Sequence, residues 1–214
     1  MANRQRPDLE QERGLLREGY GLIAGIDEAG RGAWAGPVYA GAAILPLERP
    51  DLRDALEGVT DSKLLSPRRR EAFLPLIDDV ALAVSVGAAT AAEVDALGIV
   101  PATRLAMRRA VDALSPPPDA LLLDYVALPQ VDLPQRSLPK ADLRCLSVAA
   151  ASIVAKVSRD RWMVELDAAC PGYDFARHKG YGTAAHRAAL ARLGPSPFHR
   201  MSWAPLRALG QGEG

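Results

Sequence analysis

Residues 20–45 read YGLIAGIDEAGRGAWAGPVYAGAAIL. This stretch contains two apolar segments, residues 20–26 and 38–45, and each has the length and composition of a buried strand. Two acidic residues, Asp27 and Glu28, directly follow the first segment. A strand that enters a core rarely ends in unpaired carboxylates, because a buried charge needs a partner. The stretch therefore predicts two consecutive strands and a functional site where the first of them ends.

Helical and strand patterns alternate along the rest of the chain. Further strands are expected at residues 80–90, 120–124 and 135–139. Helices are expected at residues 9–17, 67–79, 91–114 with an interruption at 98–101, 147–166 and 183–193. Strands alternate with helices in the first two thirds of the chain, and helices predominate after residue 146. This pattern predicts an α/β fold.

The chain is long enough for one sizeable core, with 214 residues of which 49% are hydrophobic. We expect a polar lead-in over residues 1–20, a single domain over residues 21–207 and a loose tail over residues 208–214. No apolar run approaches the roughly 18 residues that a membrane span needs. The lead-in lacks the apolar middle of a secretory signal, which predicts a cytoplasmic protein.

The charges balance over the whole chain but not along it. Lys and Arg together number 26, as do Asp and Glu, so the formal net charge is +0. Residues 136–207 carry 12 basic and 5 acidic residues, whereas residues 1–135 carry 14 and 20. A positive surface in the last third would suit contact with a phosphate backbone. The alternative is uneven charge with no binding role.

Four carboxylates stand beside strand-like or helix-starting segments: Asp27, Glu28, Asp124 and Asp142. Asp124 ends the apolar run 120–123, and Asp142 precedes a long Ala-rich segment. A hard divalent cation holds several carboxylates together because it cancels their repulsion and accepts oxygen ligands. The four acids together predict metal-assisted chemistry on a phosphate ester. Taken singly, Asp142 is better explained as a negative charge that the helix dipole favours at a helix N-terminus.

Asp27 and Glu28 pose a geometric question, because adjacent side chains on a regular strand point to opposite faces. Either the strand ends at Asp27, or Glu28 reaches the site with its longer side chain. The next residues, Gly30, Arg31 and Gly32, predict a tight turn in which glycine lets the backbone approach a ligand closely. A strand-ending turn with solvated charges is the alternative interpretation.

Two further segments carry groups that suit nucleic acid. Asp61, Ser62 and Lys63 place a hydroxyl and a cation before a helix N-terminus, which favours phosphate contact but also fits a simple helix cap. Residues 173–183 mix aromatic rings with cations in a glycine-bearing loop. Such rings stack on sugars or bases; aromatic packing beneath a loop would produce the same pattern.

Taken together, these segments resemble one family, ribonuclease HII. Five runs occur in that family's order: GIDEAGRGAWAGPVYAGAAIL, DSKLLS, LLLDY, KADLRCLSVAAASIVAKVSRDRWM, and HKGYGTAAHRAAL followed by GPSPFHRMSW. The resemblance extends from residue 21 to residue 205. The combination is specific, although no single run would be.

The resemblance implies a ribonuclease H-like mixed sheet flanked by helices, with a C-terminal helical part. It implies hydrolysis of the RNA strand of RNA–DNA hybrids, and nicking on the 5′ side of single ribonucleotides embedded in duplex DNA, which leaves 3′-hydroxyl and 5′-phosphate ends. Two divalent ions, Mg²⁺ or Mn²⁺, would clamp the phosphate. The implied partner is nucleic acid; we expect no membrane partner and a monomer.

The resemblance also assigns roles to individual residues. The carboxylates that match the family's catalytic, metal-binding acids are Asp27, Glu28, Asp124 and Asp142. The turn that reads the ribose 2′-hydroxyl is implied to be Gly30, Arg31 and Gly32. The ring that stacks on the deoxyribose next to the junction is implied to be Tyr173. Three further substrate-binding positions near the phosphates are implied to be Lys63, Ser147 and Lys156.

The chain departs from the family's pattern at two places. The family commonly has Gly after the third acid, where this chain has Tyr125. It commonly has Gly-Asp-Ala around the fourth acid, where this chain has Ala141, Asp142 and Leu143. We expect the added bulk to narrow the site or alter metal preference without removing a ligand.

Three other functions stay open on the sequence. A catalytically silent nucleic-acid-binding module would use the acids for structure. A metal-dependent phosphoesterase acting on a small molecule is disfavoured by the positive C-terminal third and the aromatic-basic loop. A sister ribonuclease H subtype would prefer longer runs of RNA.

Overall fold

One mixed β-sheet of five strands lies at the centre of the molecule. The computed structural model describes residues 6–210. The strands are β1 Ile23–Ala29, β2 Val38–Ile44, β3 Ala83–Ala89, β4 Ala120–Asp124 and β5 Gln135–Leu138. Their spatial order is β3-β2-β1-β4-β5. β1 and β3 run antiparallel to β2, whereas β4 runs parallel to both β1 and β5.

The helices follow the strands in an interleaved order. They are α1 Glu10–Arg17, α2 Leu52–Ala55, α3 Pro67–Val80, α4 Ala91–Leu97, α5 Ile99–Asp112, α6 Leu146–Ala169, α7 Phe175–His178, α8 Ala184–Leu193 and α9 Ala204–Gly210. Short 3₁₀ turns at Ser62–Leu64 and Ala141–Leu143 precede α3 and α6. The arrangement confirms the expected α/β class with a mixed sheet flanked by helices.

Different helices cover the two faces of the sheet. On one face, Ile26 of β1 and Met107 of α5 belong to a single buried apolar cluster. On the other face, α6 lies so close to the strands that only glycine fits between them. A Cβ on Gly25 would lie 2.2 Å from the carbonyl carbon of Ser147, and a Cβ on Gly41 would lie 2.3 Å from an α6 carbonyl oxygen. These glycines bring the start of α6 directly onto β1.

The first strand differs from its predicted bounds in an informative way. β1 starts at Ile23 and continues through both acids to Ala29, whereas the sequence predicted residues 20–26. The pairing of β1 with β2 extends to Ala29, which lies opposite Tyr39. Both acids therefore belong to a paired strand of the sheet. The alternative in which the strand ends at Asp27 is therefore excluded. β4 spans the predicted residues and ends at Asp124.

Local sequence signals predicted the positions of most helices correctly. The predicted interruption in residues 98–101 is a single residue, Gly98, whose φ of 83° separates α4 from α5. Thr183 caps α8 by accepting a hydrogen bond from the backbone N–H of His186. Three helices lie outside the predicted ranges. α2 lies in the connection after β2, α7 lies inside the aromatic-basic loop, and α9 follows the last helix that the sequence indicated.

The C-terminal helices pack around their own apolar cluster, which confirms the expected C-terminal helical part. Buried members are Met163 of α6, Phe175 of α7, Leu190 of α8 and Leu206 of α9. Residues 1–5 of the predicted lead-in and 211–214 of the predicted tail lie outside the described residues. Across residues 6–210, none of the helices combines the length and the apolar character that crossing a membrane requires.

Candidate active site

The ends of two neighbouring strands bring three of the predicted acids to one corner of the sheet. Ile26 of β1 pairs with Leu123 of β4, so the next residues along each strand, Asp27 and Asp124, are also neighbours. Asp124 Oδ1 accepts a hydrogen bond from the backbone N–H of Ala141 at 2.9 Å. That bond holds the Ala141–Leu143 turn, which contains Asp142, against the end of β4.

Asp27 is the most deeply buried of these acids, with 3% of its surface exposed. Burial raises the pKa of Asp27 well above its usual range, and the charges of Glu28, Asp124 and Asp142 raise it further. The backbone N–H of Glu28, which donates to Asp27 Oδ1 at 2.7 Å, opposes that rise. A buried carboxylate that faces three other acids is a place where a cation would be strongly favoured.

Glu28 makes one ion pair and leaves one oxygen free. Arg31 Nη1 donates to Glu28 Oε1 at 3.1 Å. The other oxygen, Oε2, is buried and has no hydrogen-bond partner among residues 6–210. Burial raises the pKa of Glu28, Arg31 opposes the rise, and the charge of Asp124 adds to it. Because buried acceptors are normally satisfied, the free oxygen indicates a position that a ligand would fill.

The fourth acid, Asp142, is paired with a carboxylate whose role the sequence analysis missed. Asp142 is buried, and its carboxyl group lies close to that of Asp61. Burial first, and then the charges of Asp61 and Asp124, raise the pKa of Asp142 to about 6. The sequence had singled out Asp61 only as part of a phosphate-contact or capping segment. Its spacing from the other acids carried no signal that it would join them.

Lys63 supplies positive charge to this cluster. Lys63 is an exposed residue. Partial burial lowers the pKa of its amine, but the nearby carboxylates raise the pKa by more, so the net shift is upward; these carboxylates are Asp27, Asp61, Asp142 and Glu28. The backbone around it is anchored, because the N–H of Ser62 donates to an α6 side chain, Ser152 Oγ, at 2.9 Å. The segment predicted to contact phosphate therefore stands beside the acids.

The donor set fits a hard divalent cation. The contributing groups are carboxylate oxygens, which such ions prefer, and one of these oxygens is buried without a partner. Within the described range 6–210, no three His, Cys, Asp or Glu side chains already stand close enough to hold an ion. The acids share one neighbourhood and repel one another, but they do not form a ready-made cage.

The glycine turn after β1 is fixed by a buried arginine of α6. Gly30 has a φ of 90°, and a Cβ there would lie 1.9 Å from Arg159 Nε. Arg159 is fully buried and donates to the backbone carbonyls of Pro37, Ala35 and Lys179. Gly30 is thus required for packing, because the turn lies directly on the guanidinium.

A second buried arginine holds the other side of the same turn. Arg200 donates to the carbonyl of Arg31 at 2.9 Å and to that of Gly36. Gly32 is exposed, and an added Cβ would meet nothing within 4 Å among the described residues. Gly32 therefore presents open backbone at the surface beside the acids. Arg159 and Arg200 lie in runs quoted for the family resemblance, but neither was assigned a role, because each acts through carbonyls far away in the chain.

Two predicted substrate contacts have other partners in the structure. Ser147 is fully buried, and its hydroxyl donates to Glu12 Oε1 at 2.7 Å, so it does not reach a phosphate at the surface. Tyr173 is 8% exposed, stacks on Phe175 and donates its hydroxyl to Gly194. Its ring is occupied by core packing, which is the interpretation that the sequence analysis had kept as an alternative.

The exposed aromatic of that loop is Tyr181. Lys156 Nζ lies 5.7 Å and Arg159 Cζ lies 5.4 Å from the centre of its ring, which is partly exposed. Lys156 donates to Asp160 at 2.7 Å and lies on α6. Because Arg159 also contacts Gly30, a single side chain separates the glycine turn from Tyr181. Its motif, HKGYGT, was quoted from the sequence without assigning the ring a role.

A groove of about 710 Å³ between α3, α6 and α7 continues from Tyr181. Its lining contains five cations and three acids, and the cations are Arg70, Lys156, Arg161, Arg177 and Lys179. Four of the five come from the positive C-terminal third of the chain. A groove with surplus positive charge and an aromatic ring suits a nucleic-acid backbone.

The sheet order, with carboxylates in the last residues of β1 and at the end of β4, is that of a ribonuclease H-like nuclease. The structure is similar to that of ribonuclease H2 from Pyrococcus horikoshii, with a TM-score of 0.72 and 27% identity over 88% of this chain and 96% of that one. The family model for ribonuclease HII matches residues 24–206, and the chain therefore belongs to the ribonuclease HII family.

Relatives of similar length agree. The chain is 54% identical to a ribonuclease HII from Roseiflexus castenholzii over 203 residues, which cover 94% of this chain and 89% of the relative. It is 55% identical to one from Thermus thermophilus over 185 residues, covering 86% and 87%. The resemblance inferred from the sequence is confirmed. The family cleaves the RNA of RNA–DNA hybrids, so the chain is a hydrolase that acts on nucleic acid.

Proposed function

We propose that this chain is a metal-dependent endoribonuclease that hydrolyses the RNA strand of RNA–DNA hybrids and also nicks on the 5′ side of single ribonucleotides in duplex DNA. The observation that carries the proposal is the corner where Asp27, Asp124 and Asp142 meet beside the free oxygen of Glu28. A cluster of mutually repelling carboxylates costs stability, and a catalytic site is the usual reason for keeping one.

The four acids would hold two divalent cations, Mg²⁺ or Mn²⁺. When bound, the cations activate the attacking water and neutralise charge on the phosphate and the leaving 3′-oxygen. The protein contributes preorganised charge. Asp124 fixes the turn that carries Asp142, and Lys63 adds a cation whose positive charge the acids maintain.

Selectivity for a ribonucleotide comes from the turn of Gly30, Arg31 and Gly32. The 2′-hydroxyl is the group that distinguishes RNA from DNA at one nucleotide. Arg159 and Arg200 hold this turn from below, so its backbone is rigid before substrate arrives. Gly32 leaves its backbone open to close approach, because it has no Cβ.

The aromatic partner of this turn is Tyr181 in our proposal. Its ring is partly exposed and lies one side chain away from Gly30, whereas Tyr173 is buried. Tyr181 would pack against the sugar that follows the ribonucleotide. The basic groove beyond it would take the phosphate backbone in a sequence-independent and salt-sensitive manner.

A nicking assay tests the proposal. The substrates are three duplexes that contain no, one or four ribonucleotides in one strand, each with Mg²⁺, Mn²⁺ or EDTA, and Asp124→Asn is the matched inactive variant. We expect metal-dependent nicking at the single ribonucleotide. Binding without nicking would instead indicate a silent binding module, and nicking of the four-ribonucleotide duplex alone would indicate the sister subtype.

A further inference from the structure

We infer that Glu12, in the N-terminal helix α1, is a positioning residue for the acid Asp142. The inference rests on the proposed function, because it assigns Glu12 a role in the same site. Glu12 does not contact substrate or metal. It acts through Ser147 and the start of α6, which follows directly on the turn that carries Asp142.

Glu12 is fully buried and makes two hydrogen bonds across the molecule. Its Oε1 accepts from the backbone N–H of Ser147 at 2.9 Å and from Ser147 Oγ at 2.7 Å. A carboxylate on the outer helix of a small domain is rarely buried unless it is paired. This one is paired with the first turn of another helix.

The start of α6 needs such a partner. The backbone N–H groups in the first turn of a helix have no acceptor within the helix. The N-cap residue, Cys145, makes no side-chain capping bond within residues 6–210. Glu12 therefore caps α6 from outside, and its negative charge lies at the positive end of a helix of 24 residues.

A second set of bonds joins the same two segments. The N–H of Asp8 donates to the carbonyl of Arg144 at 3.0 Å, and the N–H of Leu146 donates to the carbonyl of Asp8 at 2.9 Å. Residues 8–12 thus hold residues 144–147 along their length. On the other side of Asp142, Ala141 is bound to Asp124. Asp142 therefore lies between two anchors.

The start of α6 also packs onto the strand of the first acid. Gly25, two residues before Asp27, lies directly against the carbonyl carbon of Ser147. A shift at the start of α6 would therefore move Asp142 relative to Asp27. Loss of the Glu12 carboxylate leaves two buried donors of Ser147 unpaired, which favours such a shift.

Three variants separate positioning from simple stability. Glu12→Leu keeps the volume and removes both acceptor bonds. Glu12→Gln keeps an oxygen for Ser147, removes the charge, and puts an NH₂ group in place of Oε2, which has no hydrogen-bond partner within residues 6–210. Leu190→Ala is the control for general stability, because Leu190 of α8 is buried in the C-terminal apolar cluster, which contains none of residues 141–147. All are compared well below the lowest Tm of the set.

We expect Glu12→Leu to weaken Mn²⁺ binding to the free protein, measured by calorimetry, by roughly tenfold. The Mg²⁺ concentration for half-maximal nicking should rise by a similar factor, with KM for the duplex unchanged. Amide hydrogen exchange of residues 141–147 should accelerate in the metal-free protein. Glu12→Gln should restore metal binding to within about twofold of wild type, whereas Leu190→Ala should lower Tm and leave metal binding unchanged.

Normal metal binding and normal exchange in folded Glu12→Leu would overturn the inference. Equal loss of metal binding in Leu190→Ala would also overturn it, because the effect would then be one of general stability. Absence of metal-dependent nicking in the wild type would instead reject the proposed function. The exchange measurement does not depend on activity, so it tests the coupling of Glu12 to residues 141–147 even in that case.

Discussion

Asp124 and Ala141 are joined by a hydrogen bond from the backbone N–H of Ala141 to Asp124 Oδ1, 2.9 Å long. This bond fixes the end of a central strand to the turn that carries the fourth acid. One carboxylate of the cluster thereby sets the position of the next. The corner where these acids meet is thus held together in part by a backbone hydrogen bond.

Removing one acid of this corner should abolish activity without harming the fold. We expect Asp27→Asn to lower the cleavage rate more than about a hundredfold. The same change should leave Tm equal or higher, because a buried charge that faces three acids is removed. The measurements are single-turnover nicking at saturating Mg²⁺ and thermal unfolding. Near-normal turnover would count decisively against the metal-site assignment.

Tyr125 offers a stability test at the edge of the site. It follows Asp124, is 74% exposed and has a φ of 61°. A left-handed backbone costs roughly 1–2 kcal/mol in a residue with a Cβ, and glycine avoids this cost. Glycine also makes the unfolded chain more flexible, which lowers the free energy of unfolding by about 0.5–1 kcal/mol and offsets part of the gain. Tyr125→Gly should therefore stabilise the protein by about 0.5–1 kcal/mol in urea unfolding.

Tyr125→Ala is the control for that measurement, because alanine keeps the left-handed strain and removes the ring. If Tyr125→Gly were no more stable than Tyr125→Ala, the strain would not be the relevant quantity. Comparing the nicking rate of Tyr125→Ala with that of the wild type would also show whether the ring narrows the site.

The two tyrosines of the C-terminal loop should respond differently to mutation. Tyr181→Ala should weaken nicking at a single ribonucleotide by roughly tenfold, about the loss of one stacking contact. Tyr173→Leu should lower stability by roughly 2 kcal/mol, because it deletes the hydrogen bond to Gly194 and the stacking on Phe175, and should leave nicking by the folded protein unchanged. A loss of nicking confined to Tyr173→Leu would reverse the assignment of the two rings.

Three buried histidines of the C-terminal part form a cluster in which hydrogen bonds determine which ring nitrogens carry protons. The backbone N–H of Ser196 donates to His199 Nδ1, so the proton of His199 is on Nε2 and donates to His186 Nε2 at 3.0 Å. His186 Nδ1 then donates to the carbonyl of Tyr181. Protonating either ring would place two N–H groups against each other. The third, His178, stacks on His186.

This cluster should make stability depend on pH. Burial lowers the pKa of both His186 and His199 from 6.5 to about 4. Between pH 6.5 and pH 4 the unfolded chain binds more protons than the folded one, so this contribution to stability is complete above pH 6.5 and is lost as the pH falls toward 4. We expect the urea midpoint of the wild type to fall more between pH 7 and pH 4.5 than that of His186→Gln.

The comparison with His186→Gln is needed because other groups act in the opposite direction. The raised pKa values of Asp27, Glu28 and Asp142 make the folded protein gain stability as the pH falls. These carboxylates are the same in both proteins, so their contribution cancels in the difference. Equal pH dependence in the two proteins would contradict the role of the cluster.

Short-range patterns in the sequence determined much of this protein. The bounds of β4, the break at Gly98 and the Thr183 cap follow from local periodicity, backbone freedom and side-chain hydrogen bonds within one turn. The four acids were visible because carboxylates beside apolar segments are unusual. Motif order then identified the family, since each motif is read from residues that are adjacent in the chain.

The tertiary structure decided which polar groups face the site and which support it. Asp61 joins the acids, Ser147 turns inward to Glu12, and Tyr181 is partly exposed whereas Tyr173 is buried. The bond between Glu12 and Ser147 joins residues 135 positions apart. Burial and hydrogen-bond partners depend on what other segments pack against a residue, and local sequence does not contain that information.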